Sequence, residues 1–270
     1  MLSLRPATEA DFELYQRLLP ELEVDDPPPE RASWAKRALN TLVATREGQE
    51  VGFLSWQFLE GAGYVRQLIV DPNARRLGVG RALMNEVRRR LVAAGATRWA
   101  LNVKPHNTAA IALYESLGFR RQYGSASYWL QWAHLPPPRP GEPEARRIEP
   151  DEEKSLEALF SLLPGQLATA RADHRVLLTV KAEALAVFTP SFPGAFPFKT
   201  KSVELAVPLL RGMHRDALPG ATFTGVVVED DAALGAHLIS LGGERRMVFD
   251  HYEGALTSAG PSRGAPSPAP

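Results

Sequence analysis

The residues best suited to chemistry lie in one stretch, Gln67-Leu-Ile-Val-Asp-Pro-Asn-Ala-Arg-Arg-Leu-Gly-Val-Gly-Arg-Ala-Leu-Met84. It reads as an apolar strand, a basic glycine loop and the start of an amphipathic helix. Amide groups at a helix N-terminus lack intrahelical acceptors, and the helix dipole favours an anion there. Gly78 and Gly80 carry no Cβ, so a ligand can approach the backbone. Arg75, Arg76 and Arg81 add charge where a diphosphate would lie. Two other glycine-loop readings fail on spacing. A dinucleotide fingerprint needs Gly or Ala at Leu83, and a phosphate-binding P-loop needs Gly-Lys-Ser/Thr.

Composition narrows the class. The 270 residues suffice for one large domain or two ordinary ones. Hydrophobic content is 44% and charged content 23%, as in soluble globular proteins. The formal net charge is zero, which gives no reason to expect nucleic acid or a membrane as partner. Without cysteine there is no disulfide framework, thiolate zinc site or cysteine nucleophile. The six histidines lack metal-type spacing, so no metal is expected. The start MLSLRPATEADF has no apolar signal core, and no apolar run is long enough for a bilayer; a cytoplasmic location is expected.

The elements that position the loop can be read from periodicity. Leu2 to Arg5 is a strand, and Asp11 caps a helix through Leu19. Glu21 to Glu30, with five acids and three consecutive prolines, is a loop. It reads as a solvated connector or as an acidic rim for a cationic ligand. A second helix covers Trp34 to Leu39. Strands at Thr41–Thr45, Val51–Phe58 and Tyr64–Val70 form an antiparallel meander across glycine-bearing turns. A helix runs from Val79 to Ala93 and ends at Gly95. Arg88 to Arg90 are read as a solvated face. Then come a strand over Arg98–Val103 and a helix from Thr108 to Leu117. A hairpin is expected from Phe119–Tyr123 and Ser127–Trp132 across Gly124-Ser125. By spacing alone Tyr114 is equally a core aromatic beside Ala110, Leu113 and Leu117.

With these elements in place, Leu4 to Trp132 resembles the GNAT superfamily of N-acetyltransferases. Arg75-Arg-Leu-Gly-Val-Gly80 fits the family's Gln/Arg-x-x-Gly-x-Gly/Ala loop, and Leu68-Ile-Val-Asp-Pro72 fits the strand leading into it. Asn107-Thr-Ala-Ala-Ile-Ala-Leu-Tyr-Glu-Ser-Leu-Gly-Phe119 fits the family's later Asn-x-x-Ala-x-x-Leu-Tyr-x-x-x-Gly-Phe motif. The resemblance implies acetyl-CoA as cosubstrate. Its pantetheine arm would pair with the backbone of Leu68, Ile69 and Val70. Its diphosphate would meet the loop, here Arg75, Arg76, Leu77, Gly78, Val79, Gly80 and Arg81. An N–H near Val70 would polarise the thioester carbonyl. An acceptor amine attacks directly, and Tyr114 protonates the departing thiolate. Asn107 is an N-cap, a CoA contact or both.

One departure from the family matters. Many members carry an acid on the strand before the loop, facing the acceptor. Here those positions are Tyr64, Arg66 and Gln67. Glu60, at the preceding turn, is a candidate base or simply an exposed carboxylate. Tyr64 and Arg66 are candidates for contacting the acceptor, Arg66 by pairing with a carboxylate.

Leu135-Pro-Pro-Pro-Arg-Pro-Gly-Glu-Pro143 has five prolines in nine residues and reads as a semi-rigid linker. The chain beyond this linker looks like an internal repeat. Arg147–Pro164 echoes Leu4–Pro20, and Asp231–Gly242 echoes Asn107–Gly118. Strands are expected at Arg175–Lys181, Ala184–Thr189, Thr222–Val228 and Arg245–Tyr252. A helix is expected over Ser202–Ala217, kinked by Pro208. Pro190–Pro197 stands where the glycine loop would fall, and Leu238 stands at the Tyr114 position.

The expected fold is therefore mixed α/β, an α+β mixed sheet: two GNAT-like acyl-CoA N-acyltransferase domains in tandem, the second degenerate. Residues 1–134 form the catalytic domain, 135–143 the linker, 144–256 the degenerate domain and 257–270 a disordered tail. The expected activity is acetyl transfer from acetyl-CoA to a small-molecule or peptide amine by direct attack in the N-terminal domain. The alternative is a non-catalytic acyl-CoA-binding or regulatory protein. Monomer and homodimer both stay open.

Overall fold

The computed structural model describes residues 1–22, 31–59 and 61–256. In chain order its elements are β1 (Leu2–Pro6), α1 (Phe12–Leu18), α2 (Arg31–Ala38), β2 (Thr41–Arg46), β3 (Gln49–Leu59), β4 (Ala62–Val70), α3 (Val79–Ala93), β5 (Arg98–Val103), α4 (Thr108–Ser116) and β6 (Arg120–Gln131). They continue with β7 (Arg146–Arg147), α5 (Glu153–Leu159), α6 (Gln166–Ala172), β8 (Val176–Val180), β9 (Ala184–Thr189), β10 (Gly194–Thr200), α7 (Ala206–Arg215), β11 (Phe223–Glu229), α8 (Ala232–Ser240) and β12 (Glu244–Ala255).

The chain divides into two compact units. The first joins Met1–Gln122 to the chain from Asp250 on, and the second is Tyr123–Phe249. In the first unit β1, β2, β3 and β4 form an antiparallel ladder. Strand β5 joins β4 in parallel, and Asp250–Ala255 of β12 pairs antiparallel with β5. Strands buried on both faces send alternate side chains to two clusters. Val43, Phe53 and Ile69 meet Phe12, Tyr15, Leu18 and Trp34 of α1 and α2. Leu42, Leu54, Trp56 and Leu101 meet Val79, Leu83, Val87 and Leu91 of α3, together with Tyr114 of α4.

The second unit repeats this order. Strands β7 to β10 are antiparallel neighbours, β11 joins β10 in parallel, and Ser125–Glu229 to Gln131–Phe223 pairs β6 with β11. Its own clusters pack α5 and α6 on one face and α7 and α8 on the other.

Several expectations change. The two compact units divide after Gln122 and after Phe249, inside β6 and β12, rather than at 134 and 144. The hairpin across Gly124-Ser125 does not form. Neither residue has the positive φ that a two-residue hairpin needs, and Ser125 continues the ladder opposite Glu229. The helix expected over Ser202–Ala217 begins as a 3-10 turn at Val203–Leu205, and α7 starts at Ala206. Pro208 thus falls in the first turn, where its missing N–H is not needed and no kink results. Pro190–Pro197 is not the counterpart of the glycine loop. Its end lies within β10, the counterpart of β4, because Gly194 and Ala195 pair with β11. The proline-rich run packs inside the second unit: the Arg211 guanidinium on α7 donates to Pro136 O at 2.8 Å and Pro137 O at 2.9 Å. The expected disordered tail and most of the acidic loop lie outside the described residues.

The first unit is therefore completed by residues that come after the second in the chain. Tyr252 and Leu256, both buried, belong to its α3 core cluster. Ending the chain at Phe249 should cost at least about 2 kcal/mol through Leu256 alone. It should also strip exchange protection from the amides of Arg98–Val103. Chemical denaturation and hydrogen exchange measure both, and unchanged protection of β5 would contradict the pairing.

Candidate functional site

Strand β4 organises the site. Its pairing with β3 shifts between Ser55 and Trp56, so Arg66 is the extra residue of a β-bulge. Its parallel pairing with β5 runs from Ala62↔Arg98 to Val65↔Leu101 and goes no further. Beyond the bulge the strand stays with β3: Leu68↔Leu54, Ile69↔Phe53, Val70↔Gly52. The Asp71 N–H donates to Val51 O at 2.8 Å. Backbone polar groups alternate along a strand, so those of Asp71, Ile69 and Gln67 face β3. Those of Leu68 and Val70 then face the gap left by β5. Val70 O confirms the direction, accepting from Arg75 Nε at 3.1 Å.

The loop is fixed at its start. The Asp71 carboxylate accepts from Asn73 N at 3.0 Å and from Arg17 Nη1 at 2.9 Å. These donors, the Asn73 amide foremost, hold its pKa below the usual carboxylate value. Arg76 and Gly78 then take left-handed backbones, φ +63° and +81°, turning the chain sharply into α3. Gly78 is the N-cap and supplies no side chain to the helix. The first intrahelical bond is Ala82 N to Gly78 O at 3.0 Å. The amides of Val79, Gly80 and Arg81 precede it and have no carbonyl one turn back. A Cβ on Gly80 would meet Leu113 Cδ2 at 3.3 Å and Leu68 and Val70 side chains at 3.8 Å. A larger side chain there fills the space between loop, strand and α4.

The three arginines divide their work. Arg75 also pairs with Glu21, so its charge locks the loop to the segment after α1. Arg81 Nη2 donates to Ser116 Oγ at 2.8 Å and ties the start of α3 to α4. Arg76 and Leu77 are exposed on the turn. Farther along α3, Arg89 and Arg90 pair with Glu86, in keeping with a solvated face.

Helix α4 begins at Asn107, whose Oδ1 accepts from Ala110 N at 3.1 Å. Asn107 is thus a working N-cap, and its amide nitrogen keeps two donors. Seven residues on, Tyr114 is 6% exposed and meets Phe119 edge-on at 5.9 Å between ring centroids. Burial raises its phenol pKa well above the ordinary value. A phenol in that state stays protonated and can act as an acid rather than as a base.

Tyr64 and Arg66 lie before the gap. Tyr64 is half-buried and bonded to the Asn102 side chain on β5; burial raises its pKa, partly offset by the nearby Arg66 charge and Asn102. Arg66 is exposed and donates to Gln57 Oε1 at 2.9 Å. Glu60 lies outside the described residues. Sequence reasoning missed Asn102 and the residue opposite it, His251 of β12. Alternation along Trp99, Leu101 and Val103 points Asn102 away from the core, which was a usable signal. His251 had none, because it arrives after the whole second repeat.

The second unit lacks the corresponding parts. Where β10 and β11 diverge, Lys199 Nζ bonds Glu229 Oε2 at 2.7 Å. The loop after β10 is Lys201, Ser202 and a 3-10 turn carrying Glu204, with no glycine. Helix α8 keeps the cap, since Asp231 Oδ1 accepts from Leu234 N at 2.8 Å, but the residue seven on is the buried Leu238. A cleft of about 340 Å³ there is lined by Glu229, Asp230 and Asp231 beside Lys199 and Lys201. Among the described residues no group of His, Asp and Glu could hold a metal ion, and no helix is long and apolar enough to cross a membrane.

The chain is similar to several known proteins. Residues 9–119 match the Acetyltransferase (GNAT) family model. The [ribosomal protein bS18]-alanine N-acetyltransferase of Escherichia coli K12 is 41% identical over 85 residues, 29% of this chain and 57% of that enzyme. The mycothiol acetyltransferase of Thermobispora bispora is 37% identical over 113 residues, 34% of this chain and 38% of that enzyme. The chain thus spans 57% or less of either relative. A tandem GNAT protein from the clavulanic acid biosynthesis pathway superposes with a TM-score of 0.61 at 18% identity, covering 96% of this chain and all of that one. The fold is a mixed α/β tandem GNAT fold.

The buried phenol gives a direct check. A folded-state pKa above the ordinary value of about 10 keeps the proton on as pH rises. The phenolate absorbance missing from Tyr114→Phe should therefore emerge only above about pH 10. Ionisation of Tyr114 at neutral or mildly alkaline pH would contradict the burial.

Proposed function

We propose that the chain is an acetyl-CoA-dependent N-acetyltransferase whose N-terminal unit moves the acetyl group to an amine. The observation that carries this reading is the early end of the β4–β5 pairing beside a glycine loop. The exposed backbone of Leu68 and Val70 offers an edge to which pantetheine can add like a strand. The amides of Val79, Gly80 and Arg81 suit the diphosphate, with Arg76 and Arg81 adding charge. Arg75 serves instead by holding Val70 O and Glu21. The Asn107 amide nitrogen, left with two donors beside its cap, is assigned to the same ligand.

The amine attacks the thioester carbonyl directly. The Val70 N–H faces the gap, where it can stabilise the developing oxyanion. As the C–S bond breaks, Tyr114 gives its proton to the thiolate. Tyr64 and Arg66 lie toward the acceptor, Arg66 already oriented by Gln57. The second unit does not turn over acetyl-CoA in this reading. Its gap is crossed by an ion pair, its loop presents Glu204 where an anion would lie, and Leu238 has no proton to give. The relatives named for a ribosomal protein and for mycothiol leave both peptide and small-molecule amines in view as acceptors.

The test is acetyl-CoA consumption over a panel of an alanyl tetrapeptide, spermidine, kanamycin and free amino acids. Turnover of at least one amine is expected. Tyr114→Phe should lower kcat by about 10² to 10⁴, the range for a general acid, with CoA affinity little changed. Tight CoA binding without turnover of any amine would instead favour a binding module. Full activity in Tyr114→Phe would remove it as the acid.

A further inference from the structure

The acceptor side of the site has no carboxylate on β4, yet an ammonium must lose a proton before it can attack. The returning strand β12 brings a group to that place. His251 sits directly opposite Asn102 in the β5–β12 ladder. Directly paired residues share a face, with Cβ atoms about 5 Å apart. The Asn102 side chain is bonded to Tyr64 on β4. Tyr64, Asn102 and His251 therefore form a row on one face across three strands. Arg66, the bulge residue, lies where β4 and β5 part. Tyr64 and Asn102 flank the mouth of the gap in which the thioester would lie, and His251 stands beside Asn102 on the next strand.

The next residue anchors the strand from the other face. Tyr252 is buried in the α3 core and hydrogen-bonded to Glu115, the neighbour of Tyr114 on α4. One dipeptide of β12 thus grips the helix carrying the acid and presents an imidazole to the acceptor face. His251 is half-buried, so it is in contact with solvent as well as with the sheet.

We propose that His251 is the general base for the acceptor amine in the N-terminal unit. The proposal rests on the acetyltransferase reading. In the step, the ammonium gives one proton to His251, which later releases it to solvent. The amine nitrogen bonds the thioester carbonyl carbon and the C–S bond breaks. Tyr114 gives its proton to the thiolate, and the second proton lost by nitrogen restores Tyr114. The products are the N-acetyl amine and CoA thiol, with one proton released.

Among the described residues, β6, the other neighbour of β12, carries Arg120 and Arg121. Strand β4 contributes Tyr64 and Arg66, and β5 contributes only the neutral Asn102. On β12 itself, Asp250 is paired with Arg121 at 2.7 Å and Glu253 with Arg98 at 3.1 Å.

The experiment uses the full chain, with the same panel of amines as probe. For wild type, kcat/KM should rise with pH along a limb set by loss of the proton from His251. In His251→Gln that limb should vanish and kcat should fall about 10²-fold or more, while calorimetric CoA affinity stays close to that of wild type. Added imidazole should restore much of the lost rate to His251→Ala without changing KM for acetyl-CoA, which lost packing would not allow. An amine of low pKa should lose less than a basic one. A His251→Gln enzyme at full rate with the limb intact would overturn the proposal, as would failure of imidazole rescue in a variant that binds CoA normally. If wild type turns over no amine, the failure is that of the acetyltransferase reading, and this assignment falls with it.

Discussion

Two parallel strands that share hydrogen bonds for only four residue pairs set the conditions for everything else in the N-terminal unit. Strands β4 and β5 pair from Ala62↔Arg98 to Val65↔Leu101 and then part at the Arg66 bulge. The opening leaves the Leu68 backbone groups and the Val70 N–H aimed at a gap, a costly arrangement unless something polar fills it. The surrounding parts make sense as answers to that gap. Leu113 and Gly80 shape its wall, the left-handed Gly78 turn brings helix amides to its end, and the Tyr114 phenol stands in the cluster that floors it.

The second unit shows what the same scaffold does when the gap is closed. Strands β10 and β11 also part early, but Lys199 and Glu229 bridge the divergence. The charge there is mixed, with Lys199 and Lys201 among the acids. Arginines on the first loop are matched by Glu204, Asp230 and Asp231 around the second. The fold is held by apolar clusters that do not depend on these groups, so the site can change while the architecture stays. The second unit also has a structural duty: the chain must pass through it before Asp250–Ala255 can return to β5.

Local chemistry was legible where one segment both specifies and contains it. The span of α3, the strand Arg98–Val103, the Asn107 cap and the glycine loop can be read from spacing alone. Long-range pairing was not legible. Gly124-Ser125 looks like a turn, yet its backbone stays extended because β11 offers a ladder partner. Pro208 looks like a kink, but a preceding 3-10 turn shifts it to a position where proline fits. The prolines of 190–197 looked like a ruined phosphate loop, while the pairing of Gly194 and Ala195 with β11 makes their end a strand. The reading that the second half lacks the site rests on other residues, Lys199, Glu204 and Leu238. Roles delivered by the chain's end, such as that of β12, need the three-dimensional pairing.

One of two similar scaffolds retains a CoA cleft in this reading, and the cleft lies between β4, the Gly78–Gly80 turn and α4. Calorimetric titration of the full chain with CoA tests that most directly. A single site per chain is expected, abolished by Gly80→Val, whose side chain would collide with Leu113 and fill the cleft. Two sites of comparable affinity, or a single site that survives Gly80→Val, would contradict it.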